Sequence, residues 1–220
     1  MKLRSLSIFA AIMLGSVVAL ATDTLAVIDP SVFQVSYASN LNVGDSYVNL
    51  TNVGATQLTL DQGAAPAVTN GNMCVNVYTF SPDEQMISCC SCPVTPNALV
   101  SLSARNDLIS NTLTPAVPTS IVIKLVGSAG PVCNASTAGS AGNFLAPGMA
   151  AWASTIHALP VTPGSPATTY GRTETPFTKS TLSVAELARL SLLCLGIQID
   201  GSGFGICRSC RFGGLGAVQP

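Results

Sequence analysis

Eight cysteines, all lying beyond an apolar N-terminal stretch, constrain this chain more than any other feature: Cys74, Cys89, Cys90, Cys92, Cys133, Cys194, Cys207 and Cys210. Lys2 and Arg4 precede an uncharged apolar run from Ser7 to Leu20, and Ala19 and Ala21 offer an A-x-A cleavage site before Thr22. That arrangement reads as a secretory signal peptide over residues 1–21. The run of about 14 residues is shorter than the roughly 20 a membrane-spanning helix needs. An even number of cysteines in an exported chain predicts disulfides. The expectation is one disulfide-bonded domain over residues 22–220, delivered to the periplasm, the cell surface or the medium, with no membrane span once the leader is removed.

Composition narrows the partners. Nine Lys and Arg stand against ten Asp and Glu, a net charge of −1, and loss of Lys2 and Arg4 with the leader makes the remainder slightly more acidic. So few charges leave no basic patch for nucleic acid and no polybasic segment for anionic lipid. Solvation falls to Ser, Thr, Asn and Gly.

Short β-rich runs separated by turn signals follow. Phe33, Val35 and Tyr37 alternate with polar neighbours, and Asn42-Val43-Gly44-Asp45 turns the chain into a second run around Tyr47, Val48 and Leu50. Leu58-Thr59-Leu60 opens a third. The run Cys74–Phe80 is rich in β-branched and aromatic residues, Ser81–Glu84 is a turn, and Met86–Cys92 returns. Val117–Val126 reads as a strand buried on both faces, and Ala150–Leu159 as a strand carrying the single Trp and the single His. The Pro, Thr and Gly content of Pro160–Pro176 predicts a long surface loop. One helix is expected over about 183–199: Ser183 and Glu186 form a capping box, and Leu187, Leu190, Cys194 and Ile197 make one apolar stripe. Because Leu192, Leu193 and Leu195 occupy the other faces, the helix is expected to be deeply buried. The fold class is therefore mainly β, an antiparallel β-sandwich that is immunoglobulin-like in general architecture, with one late buried helix.

The cysteines themselves allow three chemistries. In an extended Cys89–Cys92 segment, Cys90 and Cys92 point to one face and Cys89 to the other. Folding the hairpin about residues 81–85 with Phe80 opposite Met86 sets Cys74 against Cys92, a candidate cross-strand disulfide that a one-residue slip would break. Cys194 faces the apolar stripe, where it staples the helix to the sheet or stays a buried thiol. Alternatively Cys90, Cys92, Cys207 and Cys210 supply four thiolates for zinc, although C-x-C is not the usual knuckle spacing and no histidine is near. A redox role for Cys207-Arg208-Ser209-Cys210 lacks the helix N-terminus that lowers thiol pKa in such motifs.

Other chemistry is thin. His157 has Ser154 three residues before it, with Asp200 or Glu174 as a conceivable third member of a triad, but in a strand Ser154 and His157 face opposite sides, and no G-x-S-x-G elbow occurs. Gly201–Gly205 follows a helix instead of preceding one, so it suits a chain reversal leading to Cys207 better than a phosphate cradle. Asp83-Glu84 lies in a turn with too few ligands for calcium.

The segments CCSCPVTPN, RNDLISNTLTP and GSGFGIC with CRSC are similar to those of a group of uncharacterised secreted bacterial proteins. That resemblance implies a bacterial exported protein and carries no activity, cofactor or catalytic residue. The sequence thus points to a structural or binding protein of the bacterial envelope or exterior, without cofactor and more in keeping with a non-enzyme, its partner being a second copy of itself or another envelope protein. One form of self-assembly would add Thr22–Val35 as a strand to a neighbour's sheet edge. The alternatives are the zinc module and an exported hydrolase or thiol-redox protein.

Overall fold

The computed structural model describes residues 29–54, 71–140, 142–159, 168–208 and 210–213. The leader and Leu58–Leu60 lie outside these. In chain order the strands are β1 Phe33–Ala38, β2 Tyr47–Asn52, β3 Met73–Phe80, β4 Met86–Val94, β5 Leu99–Ser103, β6 Ile121–Ala129, β7 Phe144–Leu145, β8 Met149–Ala158, β9 Tyr170–Pro176 and β10 Thr178–Lys179. Helix α1, Val184–Asp200, and β11, Arg211–Phe212, complete the set. Two antiparallel sheets result. One has the order β10-β1-β6-β3-β4 with β7 beside β6, and the other β11-β5-β2-β8-β9. The chain is mainly β with one long helix late in the sequence. Its likeness to immunoglobulin domains stops at two facing antiparallel sheets, since those domains divide seven or nine strands differently.

The strand patterns explain the layering. Tyr47–Asn52 alternates between half-buried and buried, as a strand with one face on a core must. Its inward Val48 and Leu50 meet Val100 and Leu102 of β5, Ala151 and Ala153 of β8, and, from the facing sheet, Val75, Val77, Ile123 and Leu125. Strand β3 is buried at every position, because its outward face is covered by the Ala135–Thr137 turn, tied to it by Cys74–Cys133 and the Tyr78 hydroxyl, together with α1. There Tyr78, Phe80, Met86, Cys89 and Val126 form a second cluster with Leu190, Cys194 and Ile197 of the helix. Asn76, fully buried in β3, is satisfied by side-chain bonds to the Val126 carbonyl at 3.0 Å and Ser128 Oγ at 2.8 Å, while accepting from Ser91.

Four expectations change. Residues 170–176 are not loop but an edge strand paired with β8; nearly all of them are exposed, so no hydrophobic alternation betrays them. Strand β6 begins at Ile121, later than expected, and only its second half is buried on both faces. Helix α1 is not deeply buried. Only Leu190, Cys194 and Ile197 are enclosed, and Leu192, Leu193 and Leu195 are exposed. Finally, Phe33–Val35 pairs within its own sheet between β10 and β6, so that end of the segment considered for strand exchange is already engaged.

Candidate functional site: the open sheet face and the disulfide frame

All eight cysteines are bonded: Cys74–Cys133, Cys89–Cys194, Cys90–Cys207 and Cys92–Cys210, with Cα separations of 5.2, 5.8, 5.4 and 5.7 Å. The hairpin does pair Phe80 with Met86, but Thr79 then pairs with Ser88, leaving Ile87 as an extra residue. This bulge shifts the register by one. Cys74 comes opposite Pro93 instead of Cys92 and joins Cys133. Cys90 and Cys92 do point away from Cys89: Cys92 joins the inter-sheet core and Cys89 the helix-side cluster. The four sulfurs considered as zinc thiolates are brought together, but as two disulfides. Among the described residues no group of three or more His, Cys, Asp or Glu is placed to hold a metal, and no helix is long and apolar enough to cross a membrane.

The Gly201–Gly205 turn delivers Cys207 to β4. Gly205 has φ +75°, and a Cβ there would meet Ile197 at 2.7 Å, so only glycine fits without displacement. Its carbonyl accepts from the Cys89 amide at 2.9 Å, and the Cys207 amide donates back to the Cys89 carbonyl at 3.2 Å.

The triad candidates separate. Ser154 sits opposite Glu174 across β8 and β9, whereas His157 lies on the other face and packs edge-on against Tyr37, ring centroids 6.3 Å apart. Asp200 ends α1. Asp83 accepts from Ser81 within the hairpin turn.

A feature not apparent as a site in the sequence occupies the outer face of the β11-β5-β2-β8-β9 sheet. Register places Ser101, Asn49, Trp152 and Pro176 in one row, and Ser103, Tyr47, Ser154 and Glu174 in the next. Side chains in a row share a face because cross-strand partners point the same way. The polar groups there are fixed by one another. Ser101 Oγ donates to Asn49 Oδ1 at 2.6 Å, and Asn49 Nδ2 donates to Glu174 Oε1 at 3.2 Å. The Arg172 guanidinium lies 5.1 Å from the Tyr47 ring centroid and donates to the Asp45 carbonyl at 2.9 Å. Asp45 in turn accepts from the Ser103 hydroxyl and from the amides of Ser46 and Arg105. Trp152 stands beside this network, 37 % exposed. No alternation in β8 marks it, since Trp152 shares its face with Ala150, Ser154, Ile156 and Ala158.

Comparison with protein-family models, with curated proteins and with solved structures finds no match to this chain.

Proposed function

We propose that this is an exported, non-catalytic binding protein whose open sheet face holds a saccharide chain. The observation that carries this reading is the exposed Trp152 indole beside an Asn49 amide fixed between Ser101 and Glu174. An indole offers a flat apolar surface with a polar edge, suited to the C–H face of a sugar ring. A hydroxyl both donates and accepts, and amide and carboxylate together supply both complements. Arg172 and Glu174 balance in charge, which suits an uncharged polar ligand. Mutual fixing of these side chains before binding lowers the ordering cost. The four disulfides fit an oxidising compartment outside the cytoplasm, and placement on the bacterial surface or in the medium is part of the proposal.

Affinity electrophoresis of the oxidised mature protein through gels containing a panel of neutral polysaccharides tests it. Retardation by at least one polymer is expected, with Trp152→Ala and Asn49→Ala each weakening it about tenfold or more. No retardation across the panel, or equal retardation of Trp152→Ala, overturns the reading.

A further inference from the structure

The open face carries a free aromatic ring towards each end of the β8–β9 pair. Side chains alternate along β9, so Pro176, Glu174, Arg172 and Tyr170 stand on one side of the sheet. Register sets Pro176 beside Trp152 and Tyr170 beside Ala158. Trp152 and Tyr170 therefore share the open face, 37 % and 41 % exposed. Tyr170 lies six positions before Pro176, which puts its row roughly 20 Å from that of Trp152 at the rise of an antiparallel strand. Between the two rows lie Glu174 and Arg172, fixed by the Asn49 amide and the Asp45 carbonyl. A third aromatic of the face, Tyr47, is not free, because the Arg172 guanidinium lies 5.1 Å from its ring centroid. Across the strands, the row of Ser101, Asn49, Trp152 and Pro176 holds a single aromatic. The direction along β8 and β9 is the one that joins two free rings.

Resting on the saccharide reading above, we infer that the ligand is a linear, neutral, extended glycan, bound over about five units along β8 and β9. One sugar ring lies on Trp152 and another on Tyr170. Each aromatic takes the C–H face of a sugar and leaves its polar edge for hydroxyls. A pyranose advances about 5 Å per unit along an extended chain, as its C–C and C–O bond lengths require. A span of roughly 20 Å is then about four such steps, from a first unit to a fifth. In a ribbon whose successive rings face opposite ways, units four steps apart present the same side, so both aromatics meet like surfaces. The units between them run over Glu174 and Arg172, which supply an acceptor and donors for hydroxyls. A chain that coils turns its C–H faces away and does not reach both rings. A trisaccharide reaches only one ring and settles on Trp152, beside Asn49. Longer chains join two contacts through one molecule, so affinity climbs with length.

Calorimetric titration of the oxidised mature protein with β-1,4-linked gluco-, xylo- and manno-oligosaccharides of two to six units tests this, with α-1,4-linked malto-oligosaccharides as the coiling series. In at least one β-1,4 series affinity should rise about tenfold or more from trimer to hexamer, while the malto series stays flat. Tyr170→Ala should abolish that rise and leave trimer binding and the circular dichroism unchanged, whereas Tyr170→Phe should keep it. Affinity that is flat with length, an equal rise in the malto series, or a rise that survives Tyr170→Ala overturns the inference and leaves the saccharide reading standing. Failure of every oligosaccharide to bind overturns it too, and if no polysaccharide retards the protein either, the saccharide reading falls with it.

Discussion

The outer faces of the two sheets are built from similar strands and end in opposite states. Outside β10-β1-β6-β3-β4, helix α1 seals the part of the face around β3 and β4, with Tyr78, Val126 and Leu190 fully excluded from water and Cys89–Cys194 bonding helix to strand, while Tyr37 and Val122 at its far end stay exposed. Outside β11-β5-β2-β8-β9, no described element covers Trp152, Asn49 and Glu174. The composition follows the cover. Strand β3 presents buried side chains on both faces, whereas β2 keeps Tyr47, Asn49 and Thr51 half-exposed. One face serves stability and the other is free to serve binding. Substitutions should therefore act on folding on the first face and on ligand retention on the second.

The largest expected effect comes from the centre of the sealed face. Leu190→Ala should lower unfolding free energy by about 2–5 kcal/mol, as large-to-small changes in cores do, with a fall in Tm of roughly 5–20 °C. On the open face, Trp152→Ala should cost under about 1 kcal/mol while abolishing saccharide retention. Thermal melts of the two variants side by side break the comparison if their losses are equal.

Next is the bond across the sealed face. Replacing both Cys89 and Cys194 by Ala removes a crosslink spanning 105 residues, but Cys90–Cys207 still closes nearly the same loop. The additional constraint lost is that of a loop of about 14 residues, worth about 3 kcal/mol in the chain-entropy model. Urea unfolding should show this loss. A loss below about 1 kcal/mol would mean that packing alone holds α1 in place.

The sealed face was also the more legible one in the sequence. The Ser183 cap is realised, Ser183 Oγ accepting from the Glu186 amide at 3.1 Å, and the stripe through Leu190, Cys194 and Ile197 is the buried one. The Glu186 carboxylate, however, reaches Lys124 and Arg189 instead of returning to the cap, a contact set by tertiary placement. The second apolar stripe of α1 misled, because its residues point away from the sheet and stay exposed in this chain. The Cys74–Cys92 pairing failed on one extra residue, Ile87, which no local pattern announces, and the bonds of Cys89, Cys90 and Cys92 join segments 105, 117 and 118 residues apart that no local pattern brings together. The open face was invisible for a different reason. Its residues come from β2, β5, β8 and β9, and β9 lacks alternation because it is an exposed edge. Strand β5 was passed over although Val100 and Leu102 alternate with Ser101 and Ser103.

Tyr78 gives a finer probe of the sealed face. Its hydroxyl donates to the Ala135 carbonyl at 2.7 Å, and burial pushes the phenol well above its ordinary value, opposed by hydrogen bonding to Ser191. A raised folded-state pKa means that the folded chain holds its proton where the unfolded chain has lost it. The contribution is therefore full below about pH 10 and declines above it. Tyr78→Phe should cost about 1 kcal/mol at pH 7 and flatten the alkaline decline, which stability measured from pH 8 to 11 will reveal.

The smallest effect expected is on the acid side of the same face. Burial would raise Glu186, but hydrogen bonds from Arg189 and Lys124 outweigh it and hold the carboxyl below its usual value. With the folded pKa depressed, the contribution is present above about pH 4.3, the unfolded value, and is lost as pH falls through the folded one. Both bridges are partly solvated, so the loss should stay under about 1 kcal/mol. Glu186→Gln should reduce stability by that amount at pH 7 and by nothing measurable at pH 2. Because the Lys124 bridge joins β6 to α1, a larger pH-dependent loss would show that charge pairing, and not only the apolar seal with Cys89–Cys194, distinguishes the closed face from the open one.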